Sequence, residues 1–281
     1  MNKKRDENQR ENVRKINKII KDIKEVKIQG ARNIAKEAVK AYFIFPSKKT
    51  KQMLLASRPT EPMMENVLDL AESGISKEKI LEHFEESQKK INFTVIKLIK
   101  NNDTIFTHCH STNVINALIY AKKREKKFKV YNTETRPLFQ GRKTAKELKE
   151  AGIKVTMFID SAIALAIEKE SKKDKIYANK IFLGADALTK NGIINKIGSK
   201  MIAEIAYLHQ IPLYIIADSW KFTKQKVPIE HRSLNEVWDK APKNIKIKNP
   251  AFEFVPKKYI EGIVSEFGIL SYDQFLKRFK N

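Results

Sequence analysis

From residue 104 to residue 218 the chain repeats one alternation, and that alternation limits the folds open to it. Five short apolar runs, TIFTH at 104–108, KFKVYNT at 127–133, KVTMFID at 154–160, KIFLGAD at 180–186 and IPLYIIAD at 211–218, begin roughly 25 residues apart. Segments with helical spacing, at 114–127, 144–152 and 163–171, separate the first four. A strand followed by a helix cannot pair with the next strand through a tight hairpin. The economical solution is a parallel sheet joined by right-handed crossovers, with helices on both faces. Residues 101–281 are therefore expected to form a Rossmann-like α/β domain.

The first hundred residues carry a different rhythm and are expected to form a helical N-terminal domain, 1–100. Val13, Ile16, Ile20, Ile23 and Val26 recur at three and four residues, the spacing of one helix face. A second helix is read over 31–42, and a third over 63–71 after the turn-like SRPTEP at 57–62. Ser76 reads as the N-cap of a fourth helix, with Glu78 in its first turn. Its stripe of Ile80, Phe84, Ile91, Val95 and Leu98 reaches about Lys100.

Fifty-six Lys and Arg against 33 Asp and Glu leave a net charge of +23. Such a field draws anions. The lysines are spread along the whole chain with no RNA-binding motif of interleaved aromatics, so nucleic acid is not the expected partner and a sugar phosphate is. No apolar run approaches the ~20 residues of a membrane span. The basic N-terminus has no apolar stretch behind it, which speaks against a secretory signal. A single cysteine, Cys109, cannot close an intrachain disulfide, and the expected setting is the cytoplasm.

In an open parallel sheet, ligands bind beyond the carboxyl ends of the strands. The residues there are Cys109 after the first run, then Glu134, Arg136, Gln140 and Arg142, then Asp160 and Ser161, then Asp186, and finally Asp218 before Lys221. Turn and cap preferences explain Asp160, Ser161 and part of Asp218. They do not explain a lone thiol or paired arginines. There is neither a G-x-G-x-x-G nor a P-loop. HCH at 108–110 offers no useful metal spacing, since neighbours on a strand point to opposite sides. His108 is expected to support the sheet and His110 to shape the thiol's environment.

THCHSTNV at 107–114, YNTETRPLFQGRKTAKEL at 131–148, GADALTKNGIINKIGS at 184–199 and NPAFEFVP at 249–256 resemble one family. It joins methylthioribose-1-phosphate isomerase, archaeal ribose-1,5-bisphosphate isomerase and the regulatory subunits of the eukaryotic exchange factor for initiation factor two. SRPT at 57–60 and THCHS at 107–111 resemble the archaeal bisphosphate branch. The resemblance implies a helical domain on a Rossmann-like domain, with self-association into homodimers and, as a further step, a homohexamer. It implies a catalytic pair, Cys109 and Asp186, which the exchange-factor subunits lack. It also implies substrate binding by Gly30, Arg58, Arg136, Asn195, Lys196 and Lys221. One departure is Gln29, where the isomerases usually carry arginine; Arg32 either compensates or is a solvated helix residue. The stretch after SRPT, EPMMEN at 61–66, departs too.

The implied reaction has a chemical logic of its own. A ribose phosphorylated on its anomeric oxygen cannot open as a hemiacetal does. Isomerisation to the 2-keto sugar needs the ring oxygen protonated, the C2 proton removed and a proton returned at C1, hence an acid and a base. Burial raises a carboxyl's pKa and nearby positive charge lowers a thiol's. Asp186 is accordingly expected to serve the ring oxygen and Cys109 to serve C2, with the reverse assignment also open. The mechanism needs no cofactor and no metal. The expected activity is conversion of ribose 1,5-bisphosphate to ribulose 1,5-bisphosphate. The rivals are methylthioribose-1-phosphate isomerisation and a non-catalytic, translation-factor-like subunit that senses a sugar phosphate or a nucleotide.

Overall fold

The structure, a computed structural model, describes residues 2–168 and 177–280, with side chains from residue 7 onward. Five helices precede any strand: α1 (Asn2–Lys24), α2 (Ala31–Ile44), α3 (Lys48–Leu55), α4 (Pro62–Glu72) and α5 (Lys77–Leu98). Ile16, Ile20 and Ile23 of α1 are buried with Ile34, Ala38 and Val39 of α2, Met63, Met64 and Val67 of α4, and Ile80 and Phe84 of α5. The predicted stripe of α1 is shorter than its spacing suggested. Val13 is exposed, and Val26 lies past the helix end at φ 59°. Ser76 caps α5 as predicted, accepting from Lys79 N–H. Helix α3 was not predicted, because only Thr50 and Leu54 of KKTKQMLL are buried and no apolar period marks it.

The second half contains β1 (Asp103–Thr107), α6 (Thr112–Lys123), β2 (Phe128–Thr133), α7 (Gln140–Glu150), β3 (Lys154–Phe158), α8 (Ile163–Ile167), β4 (Lys180–Leu183), β5 (Ala187–Leu188), β6 (Gly192–Lys196), α9 (Ser199–Leu208) and β7 (Leu213–Ile216). It closes with β8 (Phe252–Pro256), β9 (Gly262–Ser265), β10 (Gly268–Leu270) and α10 (Tyr272–Lys277). The end of the helix read over 163–171 lies outside the described residues. The main sheet runs β3-β2-β1-β4-β7-β9-β10, all parallel except the antiparallel edge strand β10. All five predicted runs supply strands of it.

Alternating side chains divide the core between the two faces. Ile105, Val130, Phe182 and Ile216 pack with α5, α6 and α7. Phe106, Tyr131, Ile181 and Ile215 pack with α8, α9 and α10. The crossovers before β3, α6 and α7, lie on one face, and those after it, α8 and α9, lie on the other. The chain therefore reverses its winding between the adjacent strands β1 and β4, the switch point where such sheets open a crevice.

A small antiparallel sheet, β5-β6-β8, extends from the carboxyl end of β4. It was not predicted. The GIINK of β6 is buried on both sides and shows no alternation to read. No helix among the described residues is long and apolar enough to cross a membrane.

Candidate active site

At the switch point, β1 ends at Thr107 and the chain turns sharply through His108, Cys109 and His110 into α6. Cys109 adopts φ 63°, a left-handed conformation rare outside glycine, at some cost in strain. Two threonines hold it: Cys109 N–H donates to Thr135 Oγ1 at 3.0 Å, and Thr144 Oγ1 donates to its carbonyl at 2.7 Å. His108 lies beneath, buried between Thr133 Oγ1 at the end of β2 and the Ile197 carbonyl, where it braces the sheet as expected. Burial pushes its pKa down to about 4. His110 hydrogen-bonds Thr144 Oγ1 through Nδ1 at 3.1 Å; burial also lowers it to about 4, so it is a neutral imidazole.

Beside this turn, β4 delivers Gly184, Ala185 and Asp186. Gly184 allows the close approach, since a Cβ there would meet Ser111 Oγ at 2.5 Å. Asp186 N–H pairs with the Ile194 carbonyl, which ties it to the small sheet. Lys221, from the turn after β7, reaches under it and donates to the Ala185 carbonyl at 2.6 Å. Asn195 and Lys196 come from β6; Lys196 Nζ stands 4.9 Å over the ring of Phe252.

These groups line one cleft of about 1010 Å3, part of it open to solvent. The five helices preceding the sheet close its other side with Gly30, Arg32, Arg58 and Glu61. The N-terminal residues of α2, α6 and α7 all reach the wall, the ends where backbone N–H groups and helix dipoles favour an anion. Of the eight residues expected from sequence, Cys109, Asp186, Gly30, Arg58, Asn195, Lys196 and Lys221 come together here. Arg136 is not on the cleft wall. It donates to the Val237 carbonyl at 3.2 Å and lies over the Phe139 ring, and neighbouring Arg142 pairs with Glu134.

Gln29 also lines the cleft, its amide donating to the Val26 carbonyl. Arg32 is not a solvated helix residue: it is buried against Gln88 and Glu85. Sequence reasoning missed Glu61 and Arg232. Glu61 stands in the capping position before Pro62, which gives no sign that its side chain turns inward. Arg232, held by Glu230 and Glu236, lies in a segment without period.

The electrostatics follow from burial. Asp186 is raised above the ordinary carboxylate range by desolvation, against the pull of Lys221, Lys196 and Arg58. Lys221 is lowered by the same burial, against Asp186 and Glu61. The Cys109 thiol is raised to about 11, not lowered as its positive surroundings suggested. Desolvation outweighs Lys196, and Asp186 and Asp160 push the same way.

Residues 47–272 match the initiation factor 2 subunit family. The chain is 34% identical to a ribose 1,5-bisphosphate isomerase of Methanocaldococcus jannaschii, over 88% of this chain and 89% of that one. It is 32% identical to a methylthioribose-1-phosphate isomerase of Thermosipho africanus, over 89% and 81%. The fold matches the translation initiation factor eIF-2B of Pyrococcus horikoshii with a TM-score of 0.79 at 26% identity, covering 91% of this chain and 96% of that one. The sequence match over residues 47–272, the shared architecture and the breadth of these relatives agree: the chain belongs to the initiation factor 2 subunit family.

Proposed function

We propose that the cleft is the active site of an aldose–ketose isomerase that converts ribose 1,5-bisphosphate to ribulose 1,5-bisphosphate. The observation that carries this reading is the placement of Cys109 and Asp186 on adjacent strand ends at the switch point, inside one cleft walled by cations and helix N-termini. The relatives bearing that name, at 32–34% identity over most of the chain, support it.

In this reading Asp186, whose carboxyl burial raises above the ordinary range, donates its proton to the ring oxygen as the C1–O bond breaks. Cys109, reacting as its thiolate, takes the proton from C2, and the electron pair forms the C1–C2 double bond of an enol. A proton then returns to C1 while the C2 hydroxyl gives up its own, leaving the 2-ketone. Two protons enter and two leave, so the product is an isomer and no redox partner is consumed. Asn195, Lys196, Lys221 and the helix N-termini hold the phosphate groups, and Arg58 faces the far one. The protein acts in the cytoplasm as a homodimer.

The decisive experiment assays the purified protein on ribose 1,5-bisphosphate and on methylthioribose 1-phosphate. Turnover of the bisphosphate is expected, and Cys109→Ser and Asp186→Asn should each lower kcat at least about a hundredfold in folded protein. Turnover of the methylthio sugar alone would keep the reaction and change the substrate. No turnover of either would remove the isomerase reading.

A further inference from the structure

Glu61 occupies the position where a helix is usually capped, yet it does no capping. Helix α4 begins at Pro62, and the Glu61 side chain makes no cap hydrogen bond. The side chain turns instead into the cleft wall, where it is 1% exposed. Its Oε1 lies 3.8 Å from Arg58 Nε, beyond hydrogen-bond reach. Among the described residues, Glu61 Oε2 and Arg58 Nε are both buried polar atoms without a partner. Arg58 Nη2 is engaged, 2.9 Å from a carboxylate oxygen of Glu230.

Two neighbouring buried groups left unsatisfied on one cleft wall are costly to a folded protein, and a ligand can relieve that cost. Arg58 Nε–H is a donor. Glu61 becomes a second donor when its carboxyl carries a proton. Side by side they suit a ligand oxygen that accepts twice, as an anionic phosphate oxygen does. An ionised Glu61 would do the opposite and repel such an anion.

We infer that Glu61 is a proton-bearing binding residue, whose protonated carboxyl joins Arg58 in holding an anionic oxygen of the bound sugar phosphate. The inference rests on the isomerase reading for its ligand. It adds that the site admits its anion only with a proton on Glu61.

The surroundings favour that protonated form. Desolvation raises Glu61 to about 8; Asp186 and Glu230 push it up, and Arg58 and Lys221 pull it down. Those four, from the turn after α3, the ends of β4 and β7 and the segment before β8, are the charged groups that face it. A bound phosphate adds negative charge and raises the carboxyl further. Affinity is therefore full below the unliganded pKa and falls as pH rises through it. Phosphate monoesters are already doubly ionised above about pH 7, so they do not blur that window.

The test titrates ribose 1,5-bisphosphate calorimetrically into protein carrying Cys109→Ser, which stops turnover, with and without Glu61→Gln. Buffers of differing ionisation enthalpy report proton exchange. With Glu61 present, binding at pH 8 should take up about half a proton, and Kd should weaken about tenfold from pH 7 to pH 9. Glu61→Gln keeps a neutral donor but cannot titrate, so the uptake and that tenfold slope should both disappear. The same slope read from KM in enzyme retaining Cys109 makes the result independent of the background. Binding without proton uptake, or an equal slope in the Gln variant, would overturn the role of Glu61 and leave the isomerase reading standing. No binding at any pH would overturn both.

Discussion

The Cys109 thiol shows how burial and charge compete at a single residue. A free thiol near pKa 8.5 is a few per cent thiolate at neutral pH. Raised to about 11, this one is ionised in roughly one molecule in ten thousand, but each thiolate is a stronger base. Because Cys109 is the chain's only cysteine, iodoacetamide reads it alone. Its alkylation rate should climb about tenfold per pH unit from 7 to 10 without levelling. Lys196→Met should slow alkylation at pH 9 by removing the cation that favours thiolate. A rate that levels near pH 8 would show that the cations prevail over burial, and Cys109 would then be a resting thiolate.

Among the elements, the contact between the end of β4 and the start of α6 sets the spacing of Cys109 and Asp186, the proposed catalytic pair. Gly184 has no Cβ, and an added one would stand 2.5 Å from Ser111 Oγ and 2.7 Å from Ser111 Cβ. Gly184→Ala should therefore push α6 from β4, lower stability by about 1–3 kcal/mol and reduce kcat/KM more than the stability loss explains. Adding Ser111→Gly should restore much of the activity; no rescue would mean that the spacing is set elsewhere. The strands bearing this contact were legible because burial on both faces makes β1 and β4 continuous apolar runs with helices between them. Cys109 and Asp186 were legible as residues at those ends. The small sheet was not, since β5 has two residues and its partner β8 lies far along the chain. Glu61 and Arg232 were hidden for a related reason. Their directions are set by packing between distant segments, and local spacing carries no trace of that.

At the scale of the whole molecule, the +23 charge and the apolar surface oppose each other. Like charges repel two copies, and salt screens that repulsion. Against this, α9 leaves Met201, Tyr207 and Leu208 exposed, Leu208 by 75%. Tyr207 also packs edge-on against Tyr259, so the apolar surface is continuous across the turn after β8. A patch of this kind on a single chain marks an association face, and a two-fold pairing would bury it in a closed assembly. Sedimentation at low micromolar concentration should show a dimer that tightens from about 50 to 500 mM salt, because screening weakens only the repulsion. Leu208→Lys places a charge in the centre of the patch and should shift the protein toward a 32.5 kDa species. If wild type is that species throughout, the face does not associate. If the Lys variant sediments as wild type does, the dimer forms through another surface, and the exposed edge of β3, with Met157 and Ile159 beside it, becomes the place to look.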